Sequence, residues 1–315
     1  MQQSLGIVFP GQGSQTVGML GDMAQDYPVI EATFSAASAV LGYDLWQLVQ
    51  SGPATELDKT VRTQPALLAA SYALWQILQA DNKFNPALLA GHSLGEYTAL
   101  VAAKAIAFTD AIRLVAARGE YMQDAVPAGV GGLAAIIGLE DAAVAAVCKQ
   151  AALEGEVLSP ANFNSPGQVV IAGHLPAVER ALVLAKEAGA RMAKLLPVSV
   201  SSHCVLMKPA ADRLAVLLAD MSIQTPAIPV VNNVDVKVYD SPDAIRDGLI
   251  RQLYMPVRWV ETMQLFSQQG VRHVVECGPG KVLTGLNKRI VADMQLANTA
   301  DSTSLRGLLE TGFVA

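Results

Sequence analysis

Cysteine is nearly absent. Cys148, Cys204 and Cys277 lie far apart in a chain of 315 residues and form no CxxC pair. That spacing argues against a disulfide framework or a thiolate zinc site and points to a reducing cytosol. No set of His, Cys, Asp and Glu has the spacing of a metal site. A basic excess is missing too. There are 28 Asp and Glu against 22 Lys and Arg, a formal net charge of -6, which gives no reason to expect nucleic-acid binding. No apolar run approaches the roughly 18–20 residues that span a bilayer. The first residues lack the basic and apolar regions of a secretory signal. Repeats and low-complexity segments are also absent. What is present is 52% apolar and 16% charged residues, enough for a substantial core. The length allows one large domain, with or without a smaller one.

The pattern along the chain is α/β. Residues 5–9 form a buried strand closed by Pro10-Gly11, and helical patterns follow at 30–41 and 65–79. A short apolar run at 86–90 leads into Gly91-His92-Ser93-Leu94-Gly95, with helices expected at 95–107 and 109–124. A strand followed by helices favours a layered parallel sheet. The character changes near Pro127-Ala128-Gly129. Strands at 132–139, 157–163, 168–172 and 193–198, with helices at 141–152 and 175–188, give the order βαββαβ, a ferredoxin-like arrangement. It is expected as an insertion over 127–197, within a core made of 1–126 and 198–315. Further helices at 206–221, 244–253, 259–269 and 281–293 and strands at 228–232 and 271–277 resume the α/β pattern. Residues 301–315 are weakly patterned, as in a frayed terminal helix.

Gly91-His92-Ser93-Leu94-Gly95 carries the most chemistry. A serine between glycines, after a strand and before a helix, is the context of a nucleophile elbow. The turn is strained, and residues without a Cβ let the backbone pass close. A serine needs a base. His92 is adjacent in sequence, and neighbours on a tight turn diverge, so a structural or substrate-side role suits it. His174 reads as a polar loop residue of the insertion and His273 as a structural histidine in a strand. His203 follows the return from the insertion and leads the other three as base. No convincing acid lies between Ser93 and His203. A carbonyl oxygen can also hold an imidazole N–H, so a two-residue machine is chemically feasible.

Ile112, Val115, Arg118 and Met122 share one helical face. A guanidinium among apolar neighbours needs a partner. An internal salt bridge or a snorkelling stem is the plainer explanation. The sharper one is a bidentate clamp for a substrate carboxylate. Two glycine-rich loops are weaker signals. The loop Phe9-Pro10-Gly11-Gln12-Gly13-Ser14-Gln15 lacks the third glycine of a dinucleotide fingerprint, but at a strand's carboxyl end it can offer an N–H to an oxyanion. Gly278-Pro279-Gly280-Lys281 has the wrong spacing for a nucleotide loop.

Together these segments resemble the bacterial malonyl-CoA:acyl carrier protein transacylases over nearly the whole chain. Thr63-Gln64-Pro65-Ala66, Glu96-Tyr97, Arg118-Gly119, the run from Asn162 to Gln168, Ser202-His203 and Val231-Asn232-Asn233 extend the match. The resemblance implies an α/β-hydrolase-like core with a ferredoxin-like insertion. It implies Ser93 as nucleophile, His203 as base and Arg118 as malonyl clamp. Backbone N–H groups of Gln12 and Leu94 are the implied oxyanion hole, and the main-chain carbonyl of Gln252 holds the histidine. Gln64, His92 and Asn162 are further pocket candidates. The implied reaction is ping-pong transfer of malonyl from malonyl-CoA to the phosphopantetheine thiol of holo acyl carrier protein, supplying fatty-acid synthesis in the cytoplasm. No metal or cofactor is implied, nor any nucleic-acid or membrane partner. Many relatives carry Phe before the catalytic histidine; Ser202 stands here, which weakens any steric exclusion of methylmalonyl groups. Arg191, Lys194, Lys208, Lys281, Lys288 and Arg289 are candidates for docking an acidic carrier. The competing expectations are a hydrolase on the same elbow, an acyltransferase of another assembly, and a non-catalytic scaffold.

Overall fold

The computed structural model describes residues 4–80, 84–127, 129–197 and 200–311. Its strands are β1 Ser4–Phe9, β2 Leu88–Gly91, β3 Gly131–Ile137, β4 Leu158–Ser165, β5 Gln168–His174, β6 Met192–Leu195, β7 Val230–Val231, β8 Val271–Glu276 and β9 Gln295–Asn298. They form two sheets. The first has the order β7-β2-β1-β8-β9, and its pairs are parallel. The second has the order β4-β5-β3-β6, and its pairs are antiparallel.

The apolar run of β1 is what a strand covered on both faces requires. Ile7 and Phe9 enter one core, with Leu89 and Val275. Val8 enters the other, with Ala90 and Val274. This is the period of two expected of a strand. Helices Thr60–Ala80, Leu94–Ala102 and Phe108–Ala125 pack on the first face. Helices Trp259–Gln268 and Val282–Ile290 pack on the second.

The antiparallel sheet has the βαββαβ order, with helices Asp141–Ala151 and Leu175–Glu187 as its α elements. Both helices cover one face, where Ala134, Ile136, Val169 and Ile171 meet Val144 and Val178. Leu133 and Val170 point to the opposite face and line a cavity shared with the elbow. The two parts are tied by main chain: Phe163 N donates to Val257 O at 2.9 Å, and Val257 N donates to Ala161 O at 2.9 Å.

Local differences from the sequence pattern have physical causes. The helix expected from Pro65 begins at Thr60, with Pro65 inside it. Burial of Thr60, Thr63 and Gln64 holds the extra turn, against the usual place of proline in the first turn. The segment expected as one helix from 206 opens as a 3-10 turn, Val205–Met207, before helix Lys208–Ala219. Helix Ser302–Thr311 is anchored by buried Leu305 and Leu308. The short helix Leu45–Ser51 and the edge strand β9 had no marked pattern. Val198, the expected end of the last inserted strand, lies outside the described residues. Among the described residues, no helix is long and apolar enough to cross a membrane.

Candidate active site

Ser93 sits between β2 and helix Leu94–Ala102 with φ 52° and ψ -108°. This is left-handed backbone, uncommon for a residue with a side chain and costly by about 1–3 kcal/mol. The glycines on either side make the turn possible. A Cβ on Gly91 would lie 1.8 Å from the carbonyl carbon of Gly95, and one on Gly95 would lie 2.1 Å from Phe9 O. The turn is held from outside by Asn233. Its Oδ1 accepts from Ser93 N at 2.8 Å, and its Nδ2 donates to Gly91 O at 2.7 Å.

His203 reaches this turn from the segment after the antiparallel sheet. Its Nε2 lies 2.7 Å from Ser93 Oγ, and its Nδ1 lies 2.7 Å from the main-chain oxygen of Gln252. A carbonyl can only accept, so Nδ1 carries the hydrogen and Nε2 is free to accept from the serine. No acid is needed to fix that tautomer. His203 also has a left-handed φ, 64°, and its N–H donates to Leu253 O at 2.9 Å. Burial, then the nearby Arg118 charge, pushes its pKa down to about 3. The imidazole is therefore neutral across the physiological range.

Arg118 projects from helix Phe108–Ala125 on the expected face, with Ile112, Val115 and Met122 buried beside it. It is 2% exposed. Among the described residues it forms no internal salt bridge, and its hydrogen-bond partners are neutral. Nη1 donates to Gln64 Oε1 at 2.8 Å, and Nη2 donates to Gln252 Oε1 at 3.1 Å and to Ser93 Oγ at 3.3 Å. Nε is buried without a hydrogen-bond partner. A cation held by amides beside a nucleophile keeps its charge for an incoming anion.

Ser93, His203 and Arg118 line one cavity of about 290 Å³ with Gln12, Leu94, Gln64, His92, Asn162 and Ser202. Among the described residues, no hydrogen bond occupies the backbone N–H of Gln12 or Leu94. His92 is turned to other work. Its Nε2 lies 2.8 Å from Asn164 Oδ1, and its ring packs on Trp259 at 5.5 Å between centroids. His174 Nδ1 accepts from Val157 N, and His273 is buried in β8; neither lines the cavity. Glu96, Asn233 and the side chain of Gln252 received no role from the sequence. Glu96 directly follows the elbow motif, but its partners Asn232 and Gln252 lie more than 130 residues away.

The sequence matches the acyl transferase domain family over residues 7–309. It is 60% identical over 303 residues to the malonyl CoA-acyl carrier protein transacylase of Escherichia coli strain K12, covering 96% of this chain and 98% of that one. A crystal structure of an acyl carrier protein S-malonyltransferase from Vibrio cholerae superposes with a TM-score of 0.94 at 60% identity, covering 97% and 99% of the two chains. A malonyl-transacylase solved in complex with a type II PKS acyl-carrier protein superposes at 0.96 with 57% identity, covering 98% and 100%.

Proposed function

The chain belongs to the acyl transferase family, and from that premise we propose how it moves malonyl from malonyl-CoA to acyl carrier protein for fatty-acid synthesis. The observation that carries the proposal is Ser93 Oγ held 2.7 Å from the neutral His203 Nε2 and 3.3 Å from Arg118 Nη2.

Arg118 pairs with the malonyl carboxylate and so sets the thioester carbon over Ser93. His203 Nε2 takes the hydroxyl proton as Oγ attacks that carbon. The tetrahedral oxyanion is received by the N–H groups of Gln12 and Leu94, each worth about 3–4 kcal/mol in the transition state. Collapse breaks the carbon–sulfur bond. His203 returns the proton to the sulfur, and CoA leaves as a thiol. The malonyl-serine ester then meets the phosphopantetheine thiol of the carrier. His203 takes the thiol proton, sulfur attacks, and Ser93 leaves with the proton restored. No redox change occurs, and these steps call on no metal or cofactor. Gln64, His92 and Asn162 shape the pocket. Gln252 holds His203 through its carbonyl.

In this reading residues 1–126 and 198–315 make an α/β-hydrolase-like core, and 127–197 are a ferredoxin-like insertion that forms the opposite wall of the cleft. The carrier docks transiently at its mouth, in the cytoplasm. The relative solved with a type II PKS carrier makes a polyketide carrier the second acceptor to test.

Intact-protein mass spectrometry after mixing with malonyl-CoA tests the scheme. The expected result is a malonyl adduct on Ser93 that persists in water and discharges onto added holo carrier. An adduct lost without carrier identifies a hydrolase, and absence of any adduct rejects the serine route.

A further inference from the structure

Glu96 takes no part in the steps above, yet it is a carboxylate 3% exposed in the first turn of the elbow helix. Burying such a group is costly unless it is well partnered. Three donors converge on it: Asn232 Nδ2 at 2.6 Å, the Asn233 backbone N–H at 3.1 Å and Gln252 Nε2 at 2.7 Å.

The third donor links Glu96 to the reaction. Gln252 Nε2 also donates to Ser93 O at 3.0 Å. The other end of the same amide, Oε1, accepts from Arg118 Nη2. An amide has one donating end and one accepting end. Burial pushes the Glu96 carboxyl up to about 7, and the three donors and Arg118 work against that. Both its oxygens face N–H donors, and in the ionised form it only accepts, so Glu96 fixes which end of Gln252 faces which way. Arg118 only donates and needs the oxygen end. With the amide reversed, an N–H would face the guanidinium, and Nη2 would keep only its longer bond to Ser93 Oγ. Burial works against the charge on Arg118, while Tyr97 and Glu96 favour it.

We propose that Glu96 is a positioning residue for acyl selection: through the Gln252 amide it holds the Arg118 guanidinium where a malonyl carboxylate must bind. The proposal rests on Arg118 being the carboxylate clamp.

The test measures Ser93 acylation by malonyl-CoA and acetyl-CoA, as kcat/KM, in the full-length protein. The variants are Glu96→Gln, Arg118→Ala, the double variant of these two, and Gln252→Met. Glu96→Gln is expected to lower malonyl acylation about tenfold or more, the worth of one charge-assisted hydrogen bond, and acetyl acylation much less. In the Arg118→Ala background the same change should cost malonyl less than about twofold, because the coupled group is already gone. Gln252→Met keeps the carbonyl that holds His203 and should show the same loss of selectivity, which covers a Glu96 variant that fails to fold. Equal losses for malonyl and acetyl, additive effects in the double variant, or wild-type selectivity in Gln252→Met would each overturn the proposal. If Arg118→Ala itself leaves the malonyl-to-acetyl ratio unchanged, the clamp fails and takes this proposal with it. If Arg118→Ala shifts the ratio and Glu96→Gln does not, only this proposal fails.

Discussion

Arg118 and His203 act on each other through a short stretch of buried space. The guanidinium disfavours imidazolium, adding to the effect of burial, and His203 stays neutral down to about pH 3. Protonation removes the base, so the acid limb that His203 sets in acetyl acylation lies well below the ordinary imidazole range. Burial is the main cause, and Arg118→Ala removes the larger of the two charge effects on His203. It should move that limb to higher pH, read from the pH profile of kcat/KM with acetyl-CoA. A stationary limb rejects the coupling. With malonyl-CoA the same variant loses a buried charge pair worth about 2–5 kcal/mol, so its kcat/KM should fall roughly 30-fold or more. Ser202 gives a second prediction at this scale. It lines the cavity beside His203 and leaves room that Phe would fill. Ser202→Phe should lower methylmalonyl acylation relative to malonyl, and equal effects on both would remove Ser202 from specificity. Ser93, His203 and Arg118 were legible in the sequence because each carries a local mark: an elbow, a junction, a charge on an apolar stripe. Glu96 carries none. Its partners Asn232 and Gln252 join it only through the fold, and no spacing rule links residues so far apart.

The helix that carries Arg118 crosses helix Thr60–Ala80 at Gly119. A Cβ there would lie 2.7 Å from Val61 Cα and 2.9 Å from Thr60 O, and backbone cannot move aside as a side chain can. Gly119→Ala sets two effects against each other. Alanine improves helix propensity by about 1 kcal/mol. Overpacking a tight contact costs about 1–3 kcal/mol, and the neighbouring Arg118 draws its Gln64 partner from the helix that must shift. The contact should win. The variant should unfold at lower denaturant concentration and lose malonyl acylation more than acetyl; a gain in stability would mean the helices separate freely. Elements of this kind were readable where periodicity was strong. The βαββαβ order was legible because β3 and β5 run apolar and turn residues separate the segments. Helix Leu45–Ser51 is two turns long and half-exposed, and β9 is four residues at a sheet edge. Segments that short bury too little to mark the sequence.

At the scale of the whole molecule, two sheets with separate cores enclose one cleft, and the cleft's rim must admit a carrier. The apolar face of the antiparallel sheet, through Leu133, Ala135 and Val170, meets the elbow loops and helix Val282–Ile290 across the cavity. The basic candidates stand out against a net charge of -6. Arg191, Lys194, Lys208, Lys281, Lys288 and Arg289 are all exposed. Arg289 donates to Gln168 Oε1 at 2.7 Å, and Gln168 lines the cavity, so the end of helix Val282–Ile290 lies at the rim. Exposed charges contribute little to stability, but they steer an oppositely charged partner and set its rate of encounter. Lys194→Glu and Lys288→Glu should therefore leave folding and the KM for malonyl-CoA unchanged. Each should raise the KM for holo carrier on the order of fivefold and flatten its dependence on salt, since the attraction is screened over about 8–10 Å at physiological ionic strength. Steady-state transfer with carrier and malonyl-CoA varied separately reads both constants. A rise in both would assign these residues to the cleft itself, and no change in either would leave the carrier docking elsewhere on the surface.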